Sequence, residues 1–116
     1  MTRATTVRSE TYNRGVSERR PPERGEMTIE QVIAALDHPV RLRVVRTLSR
    51  LPEDETLSCQ EILPDMTKSS ASHHWRLLRE SGLIEQRRDG RVLRTWLRRA
   101  DLDARFPGVI DAVVEQ

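Results

Sequence analysis

The chain is short of several residue types, and each shortage narrows what it can be. It has one cysteine, Cys59, in 116 residues. A single thiol excludes an intrachain disulfide framework and suits a reducing compartment. Aromatic residues make up 3% of the chain. The core must therefore be largely aliphatic, and a subunit interface is expected to supply part of the burial. No apolar run is long enough for a membrane span or a secretion signal. A cytoplasmic protein without a membrane partner is the expectation. Lysine is nearly absent, since Lys68 stands alone against 19 arginines. Arginine suits bidentate contacts to phosphate and guanine, although genome base composition produces the same bias. No Ser-His-Asp order, paired carboxylates or glycine-rich phosphate loop is visible. An enzyme is not expected, and no cofactor is implied.

What the chain does have is charge of one sign gathered in one place. The net charge of +2 says little by itself. Residues 68–99, however, carry nine bases and three acids, while residues 53–65 carry five acids and no base. A charge run is commonly a solvated face. This one coincides with a helix and a hairpin whose residues suit nucleic acid.

The helix is predicted over residues 68–81, stopped by Gly82. Ala71, Trp75, Leu78 and Gly82 recur at spacings of three and four, which marks a stripe facing a core. The other face carries Ser69, Ser72, His73, Arg76 and Arg79. All five donate hydrogen bonds and none is a carboxylate, which fits phosphates or base edges. Lys68 joins them at the helix start. Strands are predicted over 83–88 and 91–98, turning at Asp89-Gly90, the strongest two-residue hairpin signal. That turn sets Arg88 opposite Arg91, beside Arg87. Like charges facing each other across a hairpin are unfavourable unless an anion lies between them, and a phosphate is the natural candidate.

The remainder organises around these elements. Residues 1–26 are polar and arginine-rich, with Pro21-Pro22, and are expected to be a disordered tail. The tail is either simply solvated or a basic arm adding DNA affinity. Residues 27–116 form the domain. Thr28 is placed to cap a first helix, with Gln31 as box partner and Ile29, Val32, Ile33 and Leu36 as its apolar stripe. Pro39 opens a second helix, with Leu42, Val45 and Leu48 inward and Arg41, Arg43, Arg46 and Arg50 outward. Thr56-Leu57 can bridge to the wing. Ser58 and Glu61 read as a capping box for a short third helix that Pro64 ends. A last helical segment opens at Asp101 and is interrupted by Pro107. Its apolar residues Val109, Ile110, Val113 and Val114 make a patch too large to leave in water.

Two motifs in order carry a family resemblance. The first is Leu36, Pro39, Arg41, Leu42 and Val44. The second is Ser69, then Ser72-His73-His74, Leu78-Arg79 and Gly82-Leu83. With the Asp-Gly wing behind them, they make residues 28–116 resemble the ArsR-type winged helix-turn-helix repressors. The resemblance implies a mainly α fold with a small β-wing, ordered α-α-α-α-β-β-α. It also implies a homodimer that binds operator double-stranded DNA and represses transcription. In that family the first and last helices form the dimer interface, which would engage Ile29, Val32, Ile33, Val109, Ile110 and Val113. DNA contacts would fall on Lys68, Ser69, Ser72, His73, Arg76, Arg79, Arg87, Arg88 and Arg91. Arg41 is either a phosphate anchor or a dimer brace. An unknown small-molecule effector fits the family. A protein-interaction module and a nonspecific nucleic-acid binder remain as other readings.

The family's metal sites lack their ligands here. Cys59 stands where metal-sensing members carry a Cys-x-Cys pair, and soft metals need two or three thiolates. The last helix has Asp101 and Asp103 but no histidine. Adjacent His73 and His74 point about 100° apart on a helix, and His38, the third imidazole, is expected to lie far off. No metal is therefore expected. His73 is expected to face DNA. His74 is expected to donate a hydrogen bond at the core edge. Because His38 stands where the family usually has aspartate, the capping role before Pro39 either shifts to Asp37 or is weaker. Cys59 is expected to be a small residue at a helix start, where a lowered thiol pKa would leave room for redox chemistry.

Overall fold

The computed structural model describes residues 20–115. After a short 3-10 turn at Arg24–Glu26, six α-helices and three strands follow among these residues in the order α1 (Ile29–Leu36), α2 (Pro39–Ser49), β1 (Leu57–Ser58), α3 (Cys59–Ile62), α4 (Lys68–Ser81), β2 (Ile84–Asp89), β3 (Val92–Leu97), α5 (Arg99–Arg105) and α6 (Val109–Val114). This is a winged helix-turn-helix. The last helical segment is split where Pro107 and Gly108 intervene, with Gly108 at φ 89°.

The helix starts are set by side-chain caps. Thr28 accepts a hydrogen bond from Gln31 N at 3.2 Å, and Ser58 and Glu61 form the expected reciprocal box. Pro39 sits in the first turn of α2. The cap before it is neither Asp37 nor lost, but His38 itself. Its Nδ1 accepts from Val40 N at 3.1 Å, so an imidazole does what aspartate would do. Thr67 caps α4 by accepting from Ser70 N at 3.0 Å.

The core is one cluster. Val32 and Leu36 of α1 meet Val44, Val45 and Leu48 of α2, Ile62 and Leu63 around α3, and Trp75 and Leu78 of α4. Leu102 of α5 and Ile110 of α6 enter the same cluster, 1% and 0% exposed. Val32 is also 0% exposed. Val32 and Ile110, expected at a subunit interface, are each buried inside their own chain. The small aliphatic core needs them, and each buried side chain contributes about 1.5–3 kcal/mol. Among the described residues Ile33 is the large apolar residue left outside, 57% exposed.

Gly82 ends α4 in the left-handed conformation, φ 89°. A Cβ there would also lie 2.8 Å from Met27 Cε. Met27 is fully buried and belongs to the core. Residues 20–26, assigned to the expected tail, are described and touch the domain. Residues 1–19 lie outside the described residues, but the stretch after them is docked. Arg24 Nε donates to Asp101 at 2.7 Å, Arg98 donates to the Pro22 carbonyl at 2.6 Å, and Arg105 donates to the Met27 carbonyl. Polar composition predicts disorder here because the partners of this stretch lie 76 to 78 residues away in the chain.

The sheet order is β1-β3-β2, all antiparallel. β1 forms at Leu57–Ser58, one residue later than expected, opposite Thr95 and Arg94. The wing turn also lies one residue later than expected, which moves each cross-strand partner by two. Asp89 pairs with Val92, so the two turn residues are Gly90 and Arg91. Gly90 has φ 65°, and Arg91 is not among the positive-φ residues, which fits a turn with glycine at its first central position. Arg88 consequently faces Leu93, and the facing arginines are Arg87 and Arg94. Their repulsion has local relief. The Arg87 guanidinium sits 5.6 Å from the Trp96 ring centre, and Arg94 lies 3.9 Å from the Asp89 carboxylate.

Candidate nucleic-acid interface

The first two turns of α4 rise from the surface with a carboxylate-free face. Lys68, Ser69, Ser70, Ser72, His73 and Arg76 are all exposed. Beneath them Ala71, Trp75 and Leu78 are buried at 3%, 6% and 0% exposure, so the predicted stripe is the one that packs. Arg76 donates to His73 Nδ1 at 3.0 Å. That bond holds the imidazole and leaves its other nitrogen pointing away from the pair. The turn before α4 is braced by Arg43, whose guanidinium forms a two-pronged pair with Asp65.

Arg79 leaves this face. It is 5% exposed and donates to Gln86 Oε1 of β2 at 2.8 Å. Helical periodicity groups it with Ser69, Ser72, His73 and Arg76. One turn further along the helix, however, the base of the wing covers that side. A DNA contact by Arg79 is therefore corrected to an internal one. Gln86 in turn donates to Thr95 Oγ1 of β3 at 2.9 Å and to Cys59 Sγ at 3.2 Å. Gln86 and Thr95 are 2% and 0% exposed.

The wing carries the rest. Arg87, Arg88 and Arg91 are exposed. Ile84 and Gln86 face inward along β2, and by alternation Arg88 continues their side beyond the core. Arg87 lies on the opposite side with Trp96, and Arg91 is at the tip. Arg94, half-buried beside this group, is absent from the sequence-predicted set. Its signal is its place in the strand opposite Arg87, hidden by the one-residue displacement of the turn.

Under α4 the histidines take unexpected places. His38 is not remote, because its ring centre lies 4.6 Å from that of His74. His74 Nδ1 accepts from Arg41 at 3.0 Å, where donation is the expectation. Burial, then the neighbouring charges of His38, Arg41 and His73, lowers the His74 pKa. Arg41 is 7% exposed, and its Nε also donates to the Ala35 carbonyl at 2.6 Å. Its guanidinium is turned inward and ties α1, α2 and α4 together. Arg46, also expected outward, is half-buried and donates to the Val113 carbonyl at 2.9 Å. Burial pushes the Cys59 thiol up, against the lowering expected at a helix start. Among the described residues no group of three or more His, Cys, Asp or Glu is placed to hold a metal.

Known proteins match this arrangement. A family profile described as a helix-turn-helix domain matches residues 36–87. An uncharacterized HTH-type transcriptional regulator, YceK of Bacillus subtilis (strain 168), is 33% identical over 85 residues, covering 72% of this chain and 83% of that protein. Among solved structures, an ArsR family transcriptional regulator is similar with a TM-score of 0.56 at 27% identity, over 66% of this chain and 76% of the other. The transcriptional repressor BigR from Xylella fastidiosa is similar with a TM-score of 0.57 at 26% identity, over 75% and 83%. The chain belongs to the ArsR-type family of winged helix-turn-helix transcriptional regulators, which bind double-stranded DNA and are not enzymes.

Proposed function

We propose that this regulator is a repressor that binds a pseudo-palindromic operator as a homodimer. The observation that carries the reading is the exposed face of α4, where six exposed positions hold no carboxylate. Two such helices would enter successive major grooves about 34 Å apart. Ser69, Ser72 and His73 would meet base edges, with Lys68 and Arg76 on phosphate or guanine. Arg87, Arg88 and Arg91 would grip the flanking backbone. The similarity to a solved transcriptional repressor supports repression by promoter occlusion.

The dimer surface has to be drawn from what the single chain leaves outside. Ile33 is exposed, while Ile29, Val109 and Val113 are half-buried. Residues 1–19 would add sequence-independent affinity through their arginines. Sedimentation of wild type and Ile33→Glu, followed by operator selection from a random DNA pool, tests the reading. Wild type should be a dimer at micromolar concentration. Ile33→Glu should stay folded, become a monomer and lose the operator, because an unpaired ion would be buried between subunits. A monomeric wild type with full operator affinity would overturn it.

A further inference from the structure

We propose that the buried Arg79–Gln86 pair is a positioning device that sets the wing against the recognition helix, so that both engage one DNA site together. The inference rests on the reading that Arg88 of the wing contacts DNA. Arg79 lies one turn beyond Arg76 on α4, and Gln86 lies two residues before Arg88 on β2. Each member thus adjoins one of the two exposed basic groups. The bonds have a fixed direction. The guanidinium donates to the Gln86 carbonyl oxygen at 2.8 Å, and the Gln86 amide nitrogen donates to Thr95 and Cys59 at 2.9 and 3.2 Å. Reversing the amide would turn its NH2 toward a cation, so the network admits one arrangement. It joins α3, α4 and both wing strands at the point where apolar packing gives out. Beyond Gln86, the next residues of β2 are exposed.

A wing held in place brings its arginines to the backbone without a new ordering cost once the helix is seated. A loosened wing has to be ordered at each encounter. The contribution of Arg88 should therefore depend on Gln86, which simple stabilisation of the fold does not require.

The test is a double-mutant cycle read by affinity for a selected operator duplex and by its salt dependence. Wild type, Arg88→Ala, Gln86→Leu and the double variant are compared at one temperature, with folding checked by circular dichroism. Gln86→Leu should weaken operator binding about tenfold, the scale of one charge-assisted hydrogen bond. Its salt slope should become shallower, as in Arg88→Ala, and adding Arg88→Ala should cost nothing more. If the two losses simply multiply, the proposal is overturned. If Arg88→Ala has no effect in the wild-type background, the reading of the wing fails and the proposal falls with it. Should Gln86→Leu not fold, Arg79→Met/Gln86→Leu replaces it. Removing both polar ends leaves no buried charge, so folding should be retained. That pair must abolish the Arg88 contribution in the same way, and an Arg88 contribution as large as in wild type would refute the proposal.

Discussion

The recognition helix and the wing both present basic side chains, but they are held by different means. α4 lies on the core along its whole length, with Ala71, Trp75 and Leu78 buried beneath Ser72, His73 and Arg76. The wing is buried only at its base, through Ile84, Gln86 and Thr95. Its outer half is exposed along β2 and only half-buried along β3, and relies on the strand ladder, the Arg87–Trp96 contact and the Asp89–Arg94 pair. A helix fixed by packing suits hydrogen bonds to base edges, which need fixed geometry. A wing fixed only at its base suits phosphates, which recur along any duplex.

The largest expected effect sharpens this contrast by cutting under each element in turn. Trp75→Ala should cost about 3–5 kcal/mol of stability, since it empties a buried aromatic site in a small core. Leu93→Ala, in the outer wing, should cost no more than about 1 kcal/mol. Urea unfolding midpoints measure both. Equal losses would mean that the outer wing is as firmly built as the helix.

The two elements are also unequally legible in the sequence. A helix shows its buried stripe through residues three and four apart, and one misplaced boundary moves nothing across the molecule. Trp75 and Leu78 therefore lie where the periodicity puts them. In a hairpin the turn sets the register, so taking Asp89-Gly90 as the turn, in place of Gly90-Arg91, moves every cross-strand partner by two and gives the wing arginines different partners. Arg41 and Arg79 mislead for another reason. Charge suggests exposure, but each is buried by acceptors distant in sequence, the Ala35 carbonyl with His74 and the side chain of Gln86. Ile110 reads as an interface residue because its own helix gives no sign that the core of the same chain covers it.

The next effects are on DNA. Ser72→Ala or His73→Ala should cost about 1–3 kcal/mol on the operator and little on random duplex. Arg91→Ala should weaken both about equally. It should also flatten the log–log salt slope by about one unit for each phosphate interaction removed, so about two in a dimer. No gain in stability is expected from Arg91→Ala, because Arg91 is in the turn and faces no arginine. The deciding quantity is the specificity ratio at one fixed salt concentration. A ratio lowered by Arg91→Ala and untouched by Ser72→Ala and His73→Ala would reverse the roles of the two elements.

The smallest effect concerns pH and the support of α4. The Nδ1 atom of His74 is occupied as an acceptor for Arg41. A proton there would remove that acceptor and set a second cation against the guanidinium, near His38. Burial and these neighbours place the folded-state pKa below the ordinary 6.5. The unfolded chain then binds more protons in that window, so stability rises with pH. The contribution is complete above about 6.5 and is lost as pH falls through the lowered folded-state pKa. Asp101 does not confuse this range. Burial raises its carboxyl, but hydrogen bonds from Arg24 and Arg98 outweigh that and bring it below 3.8, so its own contribution is lost only in stronger acid. Urea midpoints from about pH 7.5 to about pH 5 should fall for wild type and stay flatter for His74→Gln, which keeps a hydrogen-bonding side chain but cannot titrate. Parallel curves for the two proteins would show that the imidazole beneath the recognition helix does not couple its protonation to folding.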